Sequence, residues 1–471
     1  MANASAPGAA DPAGFETLCG SFVPALGGAQ ETCPVPAVAH RLRDDVPMTA
    51  TAAVPSQVWT CPFCPLACDH LGVEHTVAPV RFSLQGGHCE RAERALGRFD
   101  GATTTPTIDG QPAPLDAALQ AAAGLLRGSR QPLFAGLGTD VDGARALYPL
   151  ACATGAITDS AGGEALIQGL RALQDRGQFT TTLAEVRTRA DVIVFVGGLP
   201  TTLAPLIGTR CGIGDGQVAL RHVVVLGGSA DDDATLAGWA GPGVSVESIG
   251  LSGDLFDTMA CLVALSAQRG LPDPPPALQA LVQRLHAARY GVLVGAPPRL
   301  PTQAALIIEA VHRVVDQLNR KTRAAALWIG GGNGAATANQ VFAWLSGLPM
   351  RSRPGPHGLE HEPYAFDVNR LLAGAAVDAL LWVSSFEADA APPATALPLV
   401  VLGHPAQAAS CLRARAVFIP VSTPGIGCDG HVFRTDGTVL MPLRAVHRDS
   451  LPTVADVVRR LGALLPAEAV A

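Results

Sequence analysis

Lysine is almost missing from this chain: Lys321 stands alone, and the rest of its 33 basic residues are arginine. Charge of either sign is scarce as well. Charged residues make up 15% of the sequence and apolar ones 48%, against about 25% charged in ordinary soluble chains. So few solvated side chains point to burial in an assembly, with an Ala/Gly/Pro-rich base composition as the competing cause. The net charge of −7 and the lack of any basic or aromatic-interleaved patch argue against a nucleic-acid or anionic-membrane surface. No apolar run approaches the roughly 20 residues of a membrane span. Eleven cysteines, an odd number, fit poorly with a secreted disulfide framework. The amino terminus has no basic n-region, apolar h-region or twin arginine, so a cytoplasmic protein is expected. Neither a G-x-S-x-G elbow nor an H-E-x-x-H pair is present, and an autonomous hydrolase of those kinds finds no support.

What is there begins with Cys61, Cys64, Cys68 and Cys89, spaced C-x2-C-x3-C-x20-C in CPFCPLACDH…GGHCERAERAL. Three thiolates in one loop and a fourth returning beyond a short hairpin can surround a [4Fe–4S] cubane. A tetrahedral all-thiolate zinc site and a metal-free remnant are the alternatives. The uneven x2/x3 spacing favours the cubane over a zinc ribbon built from C-x2-C pairs. Cys152, Cys211, Cys261 and Cys411 read as small core residues.

Residues 1–55 are Ala/Gly/Pro-rich without a sustained period and read as a disordered or loosely attached extension, with Met48 a possible alternative start. Residues 56–106 form the cysteine subdomain, closing on the helix-like ERAERALGRF. Beyond it, short apolar runs alternate with longer Ala/Leu/Arg segments. The strand candidates are 133–137, 192–198, 222–228, 291–295, 326–332, 379–385, 399–403 and 416–421. They are continuous rather than alternating, as strands covered on both faces are. PLDAALQAAAGLLRG and PTQAALIIEAVHRVVDQLN are among the helices between them. The expectation is an α/β fold with two doubly wound Rossmann-like units, 107–270 and 271–425, and a terminal segment 426–471. Strand ends rich in glycine, such as Gly197–Gly198, Gly227–Gly228 and Gly330–Gly332, permit a phosphate-bearing cofactor, but tight turns need glycine anyway.

Five stretches carry a family resemblance: CPFCPLACDH, TTLAEVRTRADVIVFVGGLP, GNGAATANQVFAWLSGLP, VDALLWVSSFEADAAPP and IPVSTPGIGCDGHVFRTDGTVLMPLRAV. With Gly430, Arg434 and Asp436 as a closing G-x-x-x-R-x-D, the chain resembles the molybdopterin/tungstopterin oxidoreductases of the formate dehydrogenase type. It is most similar to the B subunit of formylmethanofuran dehydrogenase. That resemblance implies a cubane beside a Mo or W bis-pterin centre interconverting CO2 and formate.

Two departures bear on that implication. The family places a metal-binding cysteine or selenocysteine, followed by histidine, before TTLAEVRTRADVIVF. Here the region reads ATGAITDSAGGEALIQGL, where Asp159 and Ser160 offer only hard oxygen and Ala161, Gly162 and Gly163 follow. The family also has a lysine directly after the fourth cysteine. Here Glu90 stands there with Arg91 behind it, and a carboxylate beside an anionic cluster opposes its reduction, with no local compensation expected.

Relatives with such losses occur in the formyltransferase/hydrolase complex of one-carbon-using bacteria. The resemblance therefore implies a B-type subunit serving as a redox-inactive scaffold without Mo/W-bis-pterin. Its partners would be formyltransferase-like and amidohydrolase-like subunits. They would move a formyl group from tetrahydromethanopterin to a methanofuran-like carrier, which they would largely bind, and hydrolyse it to formate. The alternative is a working Mo/W-pterin catalytic subunit. His357 and His361, with Glu360 and Glu362, could bind a divalent metal on a helix, but Pro354, Pro356 and Gly358 make a polar loop the better reading. His431, near Asp429 and Arg434, reads as a structural or carrier-contact residue.

Overall fold

A computed structural model describes residues 57–77, 80–99 and 105–465. The expected extension 1–55 lies outside the described residues. All eight strand candidates are strands, and they sort into two sheets.

The five-stranded sheet runs Val244–Ile249, Arg221–Leu226, Val192–Val196, Gly291–Gly295, Ala324–Trp328, with every neighbour parallel. Counted along the chain this order is 3-2-1-4-5, a doubly wound sheet whose switch point lies between Val192–Val196 and Gly291–Gly295. The nine-stranded sheet has a parallel centre: Ile157–Thr158, Pro132–Gly138, Ala379–Ser384, Leu399–Gly403, Ala416–Pro420. That centre is ordered 2-1-3-4-5, with its switch point between Pro132–Gly138 and Ala379–Ser384. Antiparallel hairpins cap both edges: Ser352–Gly355 with Gly358–His361, and Thr107–Ile108 with Gln111–Pro112. The fold is α/β with parallel sheets.

The expected division at residue 270 is not how the strands pair. Gly291–Gly295 pairs with Val192–Val196, and Ala379–Ser384 pairs with Pro132–Gly138. The stretch 192–328 builds one sheet and interrupts the other, which draws strands from both sides of it. Apolar runs announce strands but carry no mark of their partners.

The front of the described chain is a three-stranded antiparallel sheet, Gln57–Trp59, Leu71–Val77 and Val80–Gln85, followed by helix Glu90–Gly97. It does not form a core of its own. Trp59, Phe63, Leu66 and the four cysteines share one apolar cluster with Ile193, Phe195 and Val294 of the five-stranded sheet. The cysteine loop is thereby fixed to a rigid support.

Candidate functional site: the cysteine loop and the two strand-end crevices

The loop that carries Cys61, Cys64 and Cys68 closes on itself. The Cys61 N–H donates to the Cys68 carbonyl at 2.8 Å and the Ala67 N–H to the Cys64 carbonyl at 3.2 Å. Pro62 and Pro65 restrict the backbone between them, and Ala67 takes φ +41° to complete the turn. Cys89 is the N-cap of helix Glu90–Gly97. The backbone N–H groups of Arg91 and Ala92 lower its pKa against the larger effect of burial; they are among the donors that a helix start leaves free.

All four thiols are buried and unbridged, and each feels its neighbours. Burial, reinforced by the Cys64 charge, pushes Cys61 well up, and burial likewise raises Cys89. Cys64 moves down because the Cys68 thiol donates to its sulfur, and that same bond pushes Cys68 up. The donor set, the backbone N–H groups near sulfur and the burial fit a [4Fe–4S] cluster. A single zinc ion needs its sulfurs about 3.8 Å apart, from Zn–S bonds of about 2.3 Å. Among the described residues, no three His, Cys, Asp or Glu side chains are grouped to hold a metal ion, which weighs on the zinc site and the cluster alike.

The flank of Cys89 differs from the expectation of an uncompensated carboxylate. Glu90 is exposed, whereas the Arg91 guanidinium turns inward and lowers the pKa values of Cys61 and Cys64 after the larger effects of burial and sulfur hydrogen bonding. Its Nε donates to the Phe63 carbonyl at 2.6 Å, and its Nη2 pairs with Glu387. Compensation therefore comes from the next residue, an arginine.

In the stretch where the resemblance leads one to expect a thiolate ligand, Asp159 follows strand Ile157–Thr158. Its Oδ1 accepts from the Ser160 N–H at 2.9 Å and from Arg351 Nε at 3.3 Å, and its Oδ2 accepts from the Val368 N–H at 3.0 Å. Arg351 also reaches Asp367 at 2.7 Å, Glu164 and the Pro363 carbonyl. Burial raises the Asp159 carboxyl to about 6 despite the opposing pull of Arg351. A Cβ at Gly163 would collide with Asp159 Oδ1. This oxygen donor is committed to holding the chain together.

Doubly wound sheets take their ligands at the carboxyl ends of the strands, at the switch point. Residues of this chain make polar contacts at both switch points. In the nine-stranded sheet, Asn333, from the loop after Ala324–Trp328, donates from Nδ2 to Ser384 Oγ at 3.1 Å. A Cβ on Gly138 would lie 2.8 Å from the Asn333 carbonyl, and one on Gly334 would strike the Thr139 carbonyl. Asn333 is buried at φ +51° with its Oδ1 unpartnered. At the other switch point, Arg299 donates to the Leu199 carbonyl, and a Cβ on Gly198 would sit 2.7 Å from Asp232.

The remaining candidates separate. His357 and His361 lie on the hairpin Ser352–Gly355/Gly358–His361, so the polar loop is in fact an edge ribbon. There His361 Nδ1 meets the Arg351 carbonyl at 3.0 Å and Glu360 pairs with Arg353 at 2.8 Å. Asp429 pairs with Arg448 and Arg434 with Asp436, leaving the exposed His431 outside both pairs. Asp436 also accepts from the Leu183 N–H, so the closing motif ties the carboxy-terminal segment to the middle of the chain. Gly425, Gly427 and Gly430 spell a G-x-G-x-x-G that the glycine-rich strand ends do not reveal. It leads into strand Gly430–Phe433 rather than a helix, and Gly427 abuts Asp449.

No family model matches the sequence. The chain is 32% identical over 327 residues to the B subunit of the formyltransferase/hydrolase complex Fhc of Methylorubrum extorquens, covering 69% of this chain and 86% of that protein. It is 26% identical over 417 residues to the B subunit of the tungsten-containing formylmethanofuran dehydrogenase 2 of Methanocaldococcus jannaschii, covering 82% and 92%. The crystal structure of the Methylorubrum extorquens formyltransferase/hydrolase complex (FhcABCD) with methylofuran contains a chain of the same fold. The match has a TM-score of 0.66 at 31% identity and covers 76% of this chain and 98% of that one.

Proposed function

The chain belongs to the family of the formyltransferase/hydrolase complex's B subunit, and we propose that it serves as such a subunit without redox catalysis of its own. The observation that carries this reading is the stretch after strand Ile157–Thr158, where the resemblance implies a thiolate and this chain offers the oxygens of Asp159 and Ser160. The Asp159 carboxylate is occupied by Arg351 and two backbone N–H groups. The contacts that Asn333 and Arg299 make at the two switch points are consistent with it. The sequence has no cysteine between Cys152 and Cys211, so soft ligation of Mo or W is not expected there.

The chemistry then belongs to partners. A formyltransferase-like subunit passes the formyl group from tetrahydromethanopterin to a methanofuran-like carrier, and an amidohydrolase-like subunit releases it as formate. This chain supplies the frame on which they assemble. Its low charge fits large, apolar obligate interfaces. So does an exposed apolar row in which Trp344, 58% exposed, meets Phe433 and the cross-strand Leu440. Among the described residues no helix is long and apolar enough to cross a membrane.

Cys61, Cys64, Cys68 and Cys89 are the residues that would hold a [4Fe–4S] cluster; when bound, it would cross-link the loop and supply one-electron capacity. Their presence in one buried cluster is also what favours the competing reading, a working Mo/W catalytic subunit. Elemental analysis of the complex purified from its own host separates the two. The scaffold reading expects no stoichiometric Mo or W. About one such ion per chain, the occupancy of a catalytic site, would overturn it.

A further inference from the structure

A second polar site lies at the opposite, amino-terminal edge of the five-stranded sheet. Parallel pairing sets Ser245 of the edge strand Val244–Ile249 directly beside His222 of Arg221–Leu226. Side chains two residues apart on a strand share a face, so Glu247 follows Ser245 on the same side. The His222 ring lies between them. Its Nδ1 is 2.5 Å from Ser245 Oγ and its Nε2 is 3.1 Å from Glu247 Oε2. Arg284, from helix Pro276–Ala287, clamps the same Glu247 oxygen at 2.6 Å. Ser245 is exposed, His222 and Glu247 are partly buried, and Ser245, His222 and Arg284 line an open surface depression of about 520 Å³. Val192, Val244 and Ala287 give that depression apolar surface, and Asp191, Arg221 and Arg284 line it as well.

We propose that Ser245, His222 and Glu247 form a nucleophilic acyl-transfer site for small uncharged esters. The three residue types stand in the serial order that activates a serine: nucleophile, base, orienting carboxylate. Burial lowers His222 against the opposing pull of Glu247, which leaves the imidazole neutral near pH 7. Burial raises Glu247, but the bonds from Arg284 and His222 outweigh it and keep the carboxylate ionised. The tautomer follows: Nε2–H donates to Glu247, and Nδ1 accepts from the Ser245 hydroxyl.

The reaction balances without a cofactor. Ser245 Oγ bonds to the ester carbonyl carbon while its proton passes to His222 Nδ1. The carbon–oxygen bond to the leaving alkoxide breaks, and that alkoxide takes the proton. Water, deprotonated by the same nitrogen, then cleaves the acyl-serine to a carboxylic acid and restores the hydroxyl. A purely structural cross-strand hydrogen-bond ladder would give Ser245 no such reactivity. The site lies apart from the cysteine loop and both crevices, and the inference does not depend on the scaffold reading.

The test treats the full chain with a fluorophosphonate probe and locates the adduct by peptide mass spectrometry. The expected result is a covalent adduct on Ser245, formed at least about 100-fold faster than in His222→Ala, the lower range for a lost general base. Hydrolysis of p-nitrophenyl acetate should disappear in Ser245→Ala. Glu247→Gln, which keeps size and hydrogen-bonding reach, should slow labelling at least tenfold with an unchanged melting temperature. No adduct on Ser245 of the unaltered, folded chain, or equal labelling in His222→Ala, would overturn the proposal.

Discussion

Arg351 Nε lies 3.3 Å from Asp159 Oδ1, and each side chain is 1% exposed. This buried ion pair ties the segment after strand Ile157–Thr158 to the segment before strand Ser352–Gly355. Removing one partner of a buried pair leaves an uncompensated charge and costs about 3–5 kcal/mol. Arg351→Ala should cost at least that, because it strands Asp159 and Asp367 together. Urea denaturation of the purified chain measures it, and a change under about 1 kcal/mol would show that the clasp contributes nothing.

The same pair sets a pH dependence. The Asp159 pKa is raised from 3.8 to about 6 on folding, so the folded state holds this proton more tightly than the unfolded one. Its contribution to stability is full below about pH 4 and is lost as pH rises through about 6. Denaturation midpoints compared between pH 4 and 7 should show that decline in the wild type and its absence in Asp159→Asn. Identical slopes would refute the shift.

Asn333 fills the nine-stranded sheet's crevice from a left-handed backbone, φ +51°. Asn333→Gly relieves the backbone and should cost little, whereas Asn333→Val combines that backbone with a β-branched side chain and should cost about 1–3 kcal/mol. Gly334→Ala meets the Thr139 carbonyl and should be as damaging. Thermal melts of the three variants rank them, and equal melting of all three would show that the loop does not pack as described.

Arg91 ties the cysteine loop to Glu387 through different nitrogens of one guanidinium, Nε on the Phe63 carbonyl and Nη2 on the carboxylate. Lysine has a single ammonium and cannot span both. Arg91→Lys should therefore recover little of the roughly 1–3 kcal/mol lost in Arg91→Ala. Full recovery in the lysine variant would mean that only charge matters there.

Much of this is legible in the sequence, for physical reasons. Val192–Val196 and Ala379–Ser384 announce themselves because a strand covered on both faces is apolar throughout. Val244–Ile249 sends no such signal, because polar Ser245, Glu247 and Ser248 interrupt the apolar residues of this edge strand. The four cysteines are legible from spacing alone. The role of Arg351 is not, since its partner Asp159 lies 192 residues upstream and no local pattern links them. The compensation from Arg91 is masked by the residue before it: the start of helix Glu90–Gly97 turns Glu90 outward and Arg91 toward the thiols. Pairing order stays hidden for a related reason, because apolar runs do not name their neighbours.

The central claim is that this chain supports formyl transfer and hydrolysis rather than oxidation. Those reactions involve no net electron transfer, whereas conversion of a formyl group to CO2 releases two electrons. The chain co-expressed with formyltransferase-like and amidohydrolase-like subunits should release formate from a formylated methanofuran-like carrier. Turnover should be the same with and without a viologen electron acceptor. Formate at an unchanged rate in both arms is the predicted result; turnover that requires the acceptor and yields CO2 would contradict the account.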